Sequence, residues 1–499
     1  KDGSTIVAVD WRGEVAYSGT DAATVIQNAL NALTSGRTWK ERVVIRGDFT
    51  ISQHIEVPNY VVIEIIGKLT AESDIDYATH KAIFYTPPDG VGHDIEIRGG
   101  ILDGNNVVGA IKLSNAPYNV VIEGITAVNC KNIQGAITID GMTTGDEPYN
   151  VVIRKCTIKD SPIDCIAINT YKAGNYSKRI IIAENTIMNT YGVALIGVED
   201  GIVAYNNIYG TGIDLTASRR ITVVGNTIVG KSGVETTGIL VRSGYYSDYY
   251  QAEDITIVGN VIHHHYGTSG QAGTGIYIQH YYKPSGGVEP PPYLPARKLL
   301  IAGNVIFNCE RFGIRVYGTK DIMIIGNHIY NNGTAGVSID GPDDDWPVED
   351  IDVIGNRIVD DQDTPTQDYG IYMGVYVTGG GTISHVRVLD NDFRGNTEAI
   401  HIHNPSYITD VTIQRNRGYV TENSGSATFS GDGSTTQFAI AHGLVSTPTS
   451  YSVTPASADA AAYNFYVSAN STHLIVTYTT APPAGTDNIV LKWRAWYEP

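Results

Sequence analysis

The 499-residue sequence is poor in cysteine, in charged residues and above all in basic ones. Four cysteines are too few for a disulfide scaffold, so we interpret Cys130, Cys156, Cys165 and Cys309 as small buried side chains, with one disulfide as the alternative. Lys and Arg number 34 against 52 Asp and Glu, which gives a net charge of −18. This balance argues against nucleic acid and anionic membranes as partners, because both require a basic face.

Long apolar runs are also missing. No stretch reaches the roughly 18 apolar residues of a membrane-spanning helix, and no signal peptide precedes the first repeat, although numbering from a processed form is compatible with the start at Lys1. In contrast, 54 Gly, 32 Tyr and only 17% charged residues are typical of a β-rich, turn-rich secreted protein. Four Cys and four Met are compatible with a thermophilic source.

One repeat dominates the chain: an apolar-x-apolar triplet followed shortly by Asn, as in ITVVGN and ITIVGN. The asparagines are Asn185, Asn206, Asn226, Asn260, Asn304, Asn327, Asn356, Asn391 and Asn416. Their spacing of 20 to 44 residues is typical of solenoids, and Asn tolerates left-handed turns and can bond the equivalent amide of the next coil. We therefore predict an all-β fold, a right-handed parallel β-helix with one coil per repeat.

The pattern changes at both ends of the repeat. Residues 1–90 predict an N-terminal cap and the first coils, with an amphipathic helix from Asp21 to Leu33 and Asp21 as its N-cap. Residues 91–423 predict the β-helix. Residues 424–499 alternate polar and apolar positions between Gly, Pro and Ser turns, which predicts a small β-sandwich that could cap, oligomerise or bind glycans.

The third strand of each coil, of the form Gly-Ile-x-Ile, should carry the functional residues. Its two apolar side chains point inward, so the residue between them (the middle column) and the residue after them (the end column) should face solvent. The middle column contains Asp214, Tyr277 and Arg315, and the end column contains Asp140, Asn169, Arg242, Tyr317 and Asp340. Carboxylates, arginines and tyrosines together suit hydrogen bonding and ring stacking on sugars, so we expect a polysaccharide groove here, walled by tyrosine-bearing loops.

A local motif sharpens this expectation. The segment Asp164-Cys165-Ile166-Ala167-Ile168-Asn169 resembles the polygalacturonase family of glycoside hydrolases, a β-helical group of the pectin lyase-like superfamily. The family pattern has Asp-Asp before Cys-Ile-Ala-Ile, and Gly-His-Gly one coil later. Ile163 replaces the first Asp and Tyr191 replaces the His. The resemblance therefore implies a catalytic role for Asp164 alone. Separately from the resemblance, we predict Tyr191 and Asn169 as substrate contacts.

Three functions remain open at this stage. Glycoside hydrolysis needs two carboxyl groups, and we predict Asp164 and Asp214 with Asp140 in support. A polysaccharide lyase would use Arg242 or Arg315 to abstract a proton from a uronic acid, and a non-catalytic spike, fibre or adhesin would use the same face only to bind glycan. We expect no cofactor, although Asp343, Asp344 and Asp345 could hold Ca²⁺ rather than form a solvated turn. The chain is expected to be a monomer, or a homo-oligomer through its C-terminal domain.

Overall fold

The computed structural model describes residues 5–87, 90–131, 135–141, 147–161, 164–170, 175–245, 249–280, 294–341, 346–375 and 381–498. Three long parallel sheets, of 14, 12 and 13 strands, dominate it. Each strand pairs with the equivalent strand of the preceding and following coil, so successive coils stack into a parallel β-helix. The all-β fold predicted from the Asn repeat is therefore confirmed.

Most coils contribute one strand to each sheet, and the sheets are numbered in the order in which the chain enters them. Sheet 1 contains Glu41–Arg46, Val61–Ile66, His93–Arg98, Tyr118–Glu123, Tyr149–Arg154, Ser177–Ala183, Val198–Ala204, Arg219–Val224, Glu253–Val258, Arg297–Ala302, Lys320–Ile325, Val348–Ile354, Ile383–Leu389 and Ile408–Gln414. Sheet 2 contains Phe49–Ile51, Lys68–Ala71, Ile101–Asp103, Thr126–Val128, Thr157–Lys159, Thr186–Thr190, Asn207–Gly210, Thr227–Gly230, Val261–His263, Val305–Phe307, His328–Tyr330 and Arg357–Val359. Sheet 3 contains Ile55–Glu56, Ala82–Tyr85, Gly109–Leu113, Ile137–Asp140, Ile166–Asn169, Val193–Ile196, Ile213–Thr216, Thr237–Arg242, Thr274–Gln279, Phe312–Tyr317, Ala335–Gly341, Tyr369–Val375 and Glu398–His403.

The nine repeat asparagines are all buried and stack between sheets 1 and 2. Asn185 donates from both its backbone N and its Nδ2 to Asn206 Oδ1, each at 2.9 Å. The same pair of hydrogen bonds recurs along the stack, up to Asn391 and Asn416. The second amide proton of Asn185 reaches Ile153 O at 3.0 Å. Each side-chain amide thus satisfies backbone groups that the turn leaves without a partner.

The left-handed turn residue is not the asparagine, contrary to the sequence expectation. It is the residue immediately before each asparagine, with φ between 54° and 65° throughout the stack. These residues are Glu184, Tyr205, Gly225, Gly259, Gly303, Gly326, Gly355, Asp390 and Arg415. Five of the nine are glycine, which adopts this left-handed conformation without the steric cost that a Cβ would add.

The N-terminal end is closed by a hairpin, Ile6–Val9 with Val15–Gly19, and by the helix Ala22–Asn31. Asp21 Oδ1 accepts from Thr24 N at 2.6 Å, which confirms the predicted N-cap. The helix buries Val25, Ile26 and Leu30 against the first coils. The other helices are Tyr77–His80 and the 3₁₀ turn Pro405–Tyr407, and in the described part of the chain none is long and apolar enough to cross a membrane.

The C-terminal residues form two small antiparallel sheets where a β-sandwich was predicted. One contains Glu422–Gly431, Ser450–Pro455 and Gly485–Trp496, and the other contains Gln437–Ala441, Phe465–Ala469 and His473–Tyr478. Both contribute to one hydrophobic cluster that is separate from the core of the β-helix, with Ile440, Leu474 and Leu491 among its buried members. A further short hairpin, Gly244–Tyr245 with Tyr249–Tyr250, branches from the coils.

Candidate functional site

The register of sheet 3 aligns the two predicted columns. Asp214 pairs with Ala194 on one side and with Leu240 on the other, and Arg315 pairs with Tyr277. Three pairs align in the end column: Asp140 with Asn169, Thr216 with Arg242, and Tyr317 with Asp340. The strand pattern in the sequence therefore predicted which side chains share a face.

Exposure differs from the expectation. Much of this face is covered, since Asp140 and Asn169 are 2% and 3% exposed and Tyr277 and Asp340 are 5% and 0% exposed. Five loops were predicted to wall the groove, and each lies partly outside the described residues: GMTTGDEPY, TYKAGNYSK, SGYYSDYYQAE, HYYKPSGGVEPPPY and GPDDDWP. Asp343, Asp344 and Asp345 lie outside them entirely. The described side chains thus divide into three separate groups rather than one continuous groove.

The first group surrounds an open cavity of about 480 Å³. It lies where the chain turns into sheet 3, before the third strand, and not after that strand as predicted. The lining residues are Asp164, Tyr191, Gly192, Val193, Thr211, Gly212, Ile213, Asp214, Glu235, Thr237, Leu240, Ser269, Gly270, Gln271 and Ala272. Three of the predicted site residues, Asp164, Tyr191 and Asp214, meet here.

Asp164 precedes the strand Ile166–Asn169 and its backbone oxygen accepts from Ala136 N at 3.1 Å. Burial and, to a smaller extent, the negative charge of Asp214 together raise the pKa of its carboxyl to about 6, while Arg242 opposes both. The group therefore retains its proton in mildly acidic solution. A carboxyl group of this kind can protonate a leaving oxygen.

Asp214 accepts hydrogen bonds from two donors. Thr216 Oγ1 donates to its Oδ1 at 2.6 Å, and Arg242 Nη2 donates to its Oδ2 at 2.8 Å. Arg242 Nε also donates to Thr216 Oγ1 at 2.7 Å, which closes the cluster. These bonds fix the orientation of Asp214, which lines the cavity together with Asp164.

Sequence reasoning missed a third carboxylate, Glu235. It is exposed, lines the cavity, and accepts from Ser269 Oγ at 3.4 Å. It lies in the turn KSGVETTG, outside both columns that the strand pattern singled out. The available signal was its position two residues before Thr237, the same kind of turn position that Asp164 occupies before Ile166.

Tyr191 lies at the cavity rim and is half exposed. Its backbone oxygen accepts from the Cys165 thiol at 2.7 Å, while the next residue, Gly192, donates from N to Thr211 Oγ1 at 2.9 Å. An exposed ring over a polar cavity suits stacking against a sugar. All four cysteines are buried free thiols, so the alternative of a disulfide is wrong.

The second group is Asp140 with Lys112, outside the cavity. Lys112 Nζ lies 3.5 Å from Asp140 Oδ2, and burial raises the pKa of Asp140 while it lowers that of Lys112. Asn169, on the next coil, is buried beside Asp140. The predicted supporting carboxylate and the predicted groove floor at Asn169 therefore do not line the cavity, because they are covered.

The third group is the ion pair between Arg315 and Asp340, whose side chains are 12% and 0% exposed. The guanidinium carbon of Arg315 lies 5.2 Å from the ring centroids of both Tyr277 and Tyr317 and 5.1 Å from that of Phe312. Ser338 Oγ donates to the second Asp340 oxygen at 2.8 Å. These four predicted substrate contacts thus form a packed cluster beside the cavity rather than part of its surface.

Histidines form no metal site in the described residues, where no group of three or more His, Cys, Asp or Glu converges. His263 and His264 are neighbours with Nδ1 atoms 2.6 Å apart, and His263 stacks on Phe307. His265 is fully buried, and that burial lowers its pKa to about 3. His401 Nδ1 instead contacts Glu398 Oε2 at 2.9 Å.

Comparison with known proteins gives a fold. The model of a family described as a right-handed β-helix region matches residues 237–431. The A-module of a mannuronan C-5 epimerase from Azotobacter vinelandii superposes with a TM-score of 0.53 at 14% identity, covering 79% of this chain and 96% of the module. The tailspike protein of E. coli bacteriophage HK620, solved with a pentasaccharide, superposes with a TM-score of 0.53 at 12% identity, covering 98% of this chain and 92% of the tailspike. No curated protein matches the sequence.

Proposed function

We propose that this chain, a right-handed parallel β-helix of the pectin lyase-like type, is a secreted enzyme that cleaves a glycosidic bond in a polysaccharide. The observation that carries the proposal is the partly buried Asp164 carboxyl, with a pKa of about 6, in the same cavity as Asp214. Glycoside hydrolysis requires two carboxyl groups, of which one donates a proton to the leaving oxygen. The structural neighbours named for a mannuronan epimerase and a pentasaccharide complex support a glycan as the ligand.

In the proposed reaction, Asp164 donates its proton to the glycosidic oxygen as the bond to the anomeric carbon breaks. Asp214 takes a proton from the water that attacks the same carbon, so each carboxyl ends in the other's starting state. Asp214 aligns with Ala194 and then with Ala167, which lies three residues after Asp164 on the same coil, so the two carboxyl groups come from coils about 10 Å apart at aligned Cα positions. That spacing favours the wider carboxyl separation of inverting enzymes.

The charge of the cavity favours a neutral sugar over a uronic acid. Its described lining includes Asp164, Asp214 and Glu235 but no Lys or Arg. The two arginines that elimination would need are each held in an ion pair, Arg242 with Asp214 and Arg315 with Asp340. A uronate would therefore meet three acidic side chains and no Lys or Arg in the described lining, which makes the lyase the weaker alternative.

The test is a panel of neutral and uronic polysaccharides incubated with the full chain. Reducing ends and the ultraviolet absorbance of unsaturated uronic products are followed together. We expect new reducing ends on a neutral glycan without a rise in absorbance. Both signals together would move the chemistry to elimination, and no product on any glycan that the protein binds would favour a non-catalytic role.

A second candidate function, a glycan-binding fibre or spike subunit, is favoured by the outer face of sheet 1. One uncharged column runs across eight consecutive strands there: Val121, Val152, Ile181, Ile202, Thr222, Thr256, Leu300 and Met323. Ile181, Ile202 and Met323 are exposed, and charge returns only at Glu96 and Asp352 at its ends. Long exposed apolar stripes are typical of surfaces covered in assemblies.

This candidate is tested by the mass of the full chain in solution, measured by light scattering during gel filtration. A homo-oligomer that Ile202→Asp dissociates would support the fibre subunit. A monomer that cleaves a glycan would exclude the fibre subunit and leave the enzyme as the supported function.

A further inference from the structure

One wall of the cavity is a turn segment, residues 266–273, that precedes the strand Thr274–Gln279. Ser269, Gly270, Gln271 and Ala272 all line the cavity. Turn segments hold their shape only when their backbone groups find partners. The partners of this segment are therefore the groups that set the shape of the wall.

Two arginines share the carbonyl of Gly270. Arg311 Nη1 donates to Gly270 O at 2.8 Å, and Arg315 Nη1 donates to the same oxygen at 3.1 Å. Neither arginine is among the residues that line the cavity, so both approach the peptide from behind the wall. Charge-assisted bonds are roughly twice as strong as neutral ones, so this carbonyl is the best-held group of the segment.

Arg315 is itself fixed in place. Its Nε donates to Asp340 Oδ2, and the rings of Tyr277, Phe312 and Tyr317 surround its guanidinium. A planar guanidinium can bridge a carboxylate and a carbonyl at once because its donors diverge in one plane. The ion pair with Asp340 therefore fixes Arg315, and through it the Gly270 carbonyl of the wall, relative to the neighbouring coils.

The geometry of a trans peptide directs the N–H of Gln271 away from the two arginines. In the peptide that joins Gly270 to Gln271 the N–H points opposite to the C=O, and the C=O points at the arginines behind the wall. Gln271 N makes no hydrogen bond to any described residue, whereas Gln271 O is held by Thr237 Oγ1 at 2.7 Å. The two cationic donors also polarise this N–H.

We propose that Arg311 and Arg315 are positioning residues that hold this wall and aim the Gln271 N–H at an oxygen of the bound sugar. The inference rests on the proposed function, because it assigns the cavity to a glycan. The acceptor would be a hydroxyl or an acetamido oxygen of a neutral sugar. Glu235 and Ser269 lie beside this donor in the same lining.

The test compares the wild-type chain with two variants that leave Asp340 paired. Arg311→Met removes one donor to Gly270, and Arg315→Lys keeps a cation beside Asp340 but cannot bridge to Gly270 as well. Arg297→Met is the matched control, since it breaks an ion pair with Glu253 on sheet 1, away from the cavity. Amide hydrogen exchange of residues 266–273 and the kinetics on the cleaved glycan are measured for each.

We expect faster exchange in residues 266–273 in both variants, a KM raised roughly ten-fold, and little change in kcat, with the control at wild-type values. Unchanged exchange would overturn the positioning role. Faster exchange with an unchanged KM would overturn the assignment of the wall to sugar binding. If the wild-type chain neither binds nor cleaves any glycan, the proposed function and the sugar contact both fail, while the exchange data still decide the positioning.

Discussion

Two arginine–aspartate pairs on sheet 3 illustrate how one motif takes different roles along a solenoid. Arg242 with Asp214 and Arg315 with Asp340 each join adjacent coils and use the same two columns. The side chains of the first pair are 20% and 31% exposed, against 12% and 0% for the second. The first pair borders the cavity and the second lies in a covered cluster.

The neighbouring residues cause the difference. Asp214 has Ala194 beside it in the middle column, and this small side chain leaves space in front of the carboxylate. Arg315 has Tyr277 beside it, with Phe312 and Tyr317 around the guanidinium. The same two residue types therefore form a partly exposed pair at the cavity in one place and a covered structural pair in the other. The size of the side chains on the adjoining coils determines which of the two forms.

The largest effect is expected for Asp164→Asn. The substitution keeps the shape but removes the acidic proton, so kcat should fall by roughly 10²- to 10⁴-fold on the cleaved glycan. Asp352→Asn is the control, because it alters an ion pair with Arg387 on the outer face of sheet 1. Wild-type kcat in Asp164→Asn would remove this residue from the mechanism and leave Asp214 and Glu235 as the carboxylates to examine.

Replacing the arginine of each pair should lower the free energy of unfolding by different amounts. Arg315→Met leaves the fully buried Asp340 without its cation, which costs about 3–5 kcal/mol in free energy of unfolding. Arg242→Met leaves Asp214 partly solvated and costs about 1 kcal/mol or less. Chemical denaturation of both variants measures the difference. Equal losses would mean that burial does not distinguish the pairs.

The sequence predicted the periodic features of this fold and site well. Spacing alone identified the coils, the Asp21 N-cap and the columns that contain Asp214 and Arg315, because each depends on local geometry that repeats with every turn. The motif at Asp164 identified a residue that the cavity does contain.

Features that depend on packing between coils were not predictable in this way. The burial of Tyr277 and Asp340 follows from side chains on neighbouring coils that are distant in sequence. Glu235 escaped notice because it lies in a turn before a strand, where no periodic pattern indicates which side chains reach the cavity. The left-handed residue was misplaced by one position because both glycine and asparagine favour that conformation, and only the backbone angles distinguish them.

The smallest expected effect, and the most specific, is a shift in pH dependence. Asp164 must be protonated to act as the acid, so kcat/KM should fall as the pH rises through about 6, the pKa to which burial and Asp214 raise this carboxyl. Arg242 lowers the same pKa, so Arg242→Met should move this decline to higher pH, whereas Arg242→Lys should retain the wild-type profile. An Arg315→Met profile serves as the comparison from the covered pair and should keep the wild-type midpoint, because Arg315 is not among the groups that set the pKa of Asp164. A decline that follows Arg315 instead of Arg242 would reverse the roles of the two pairs, since the chemistry would then depend on the cluster behind the wall rather than on the carboxyl groups in the cavity.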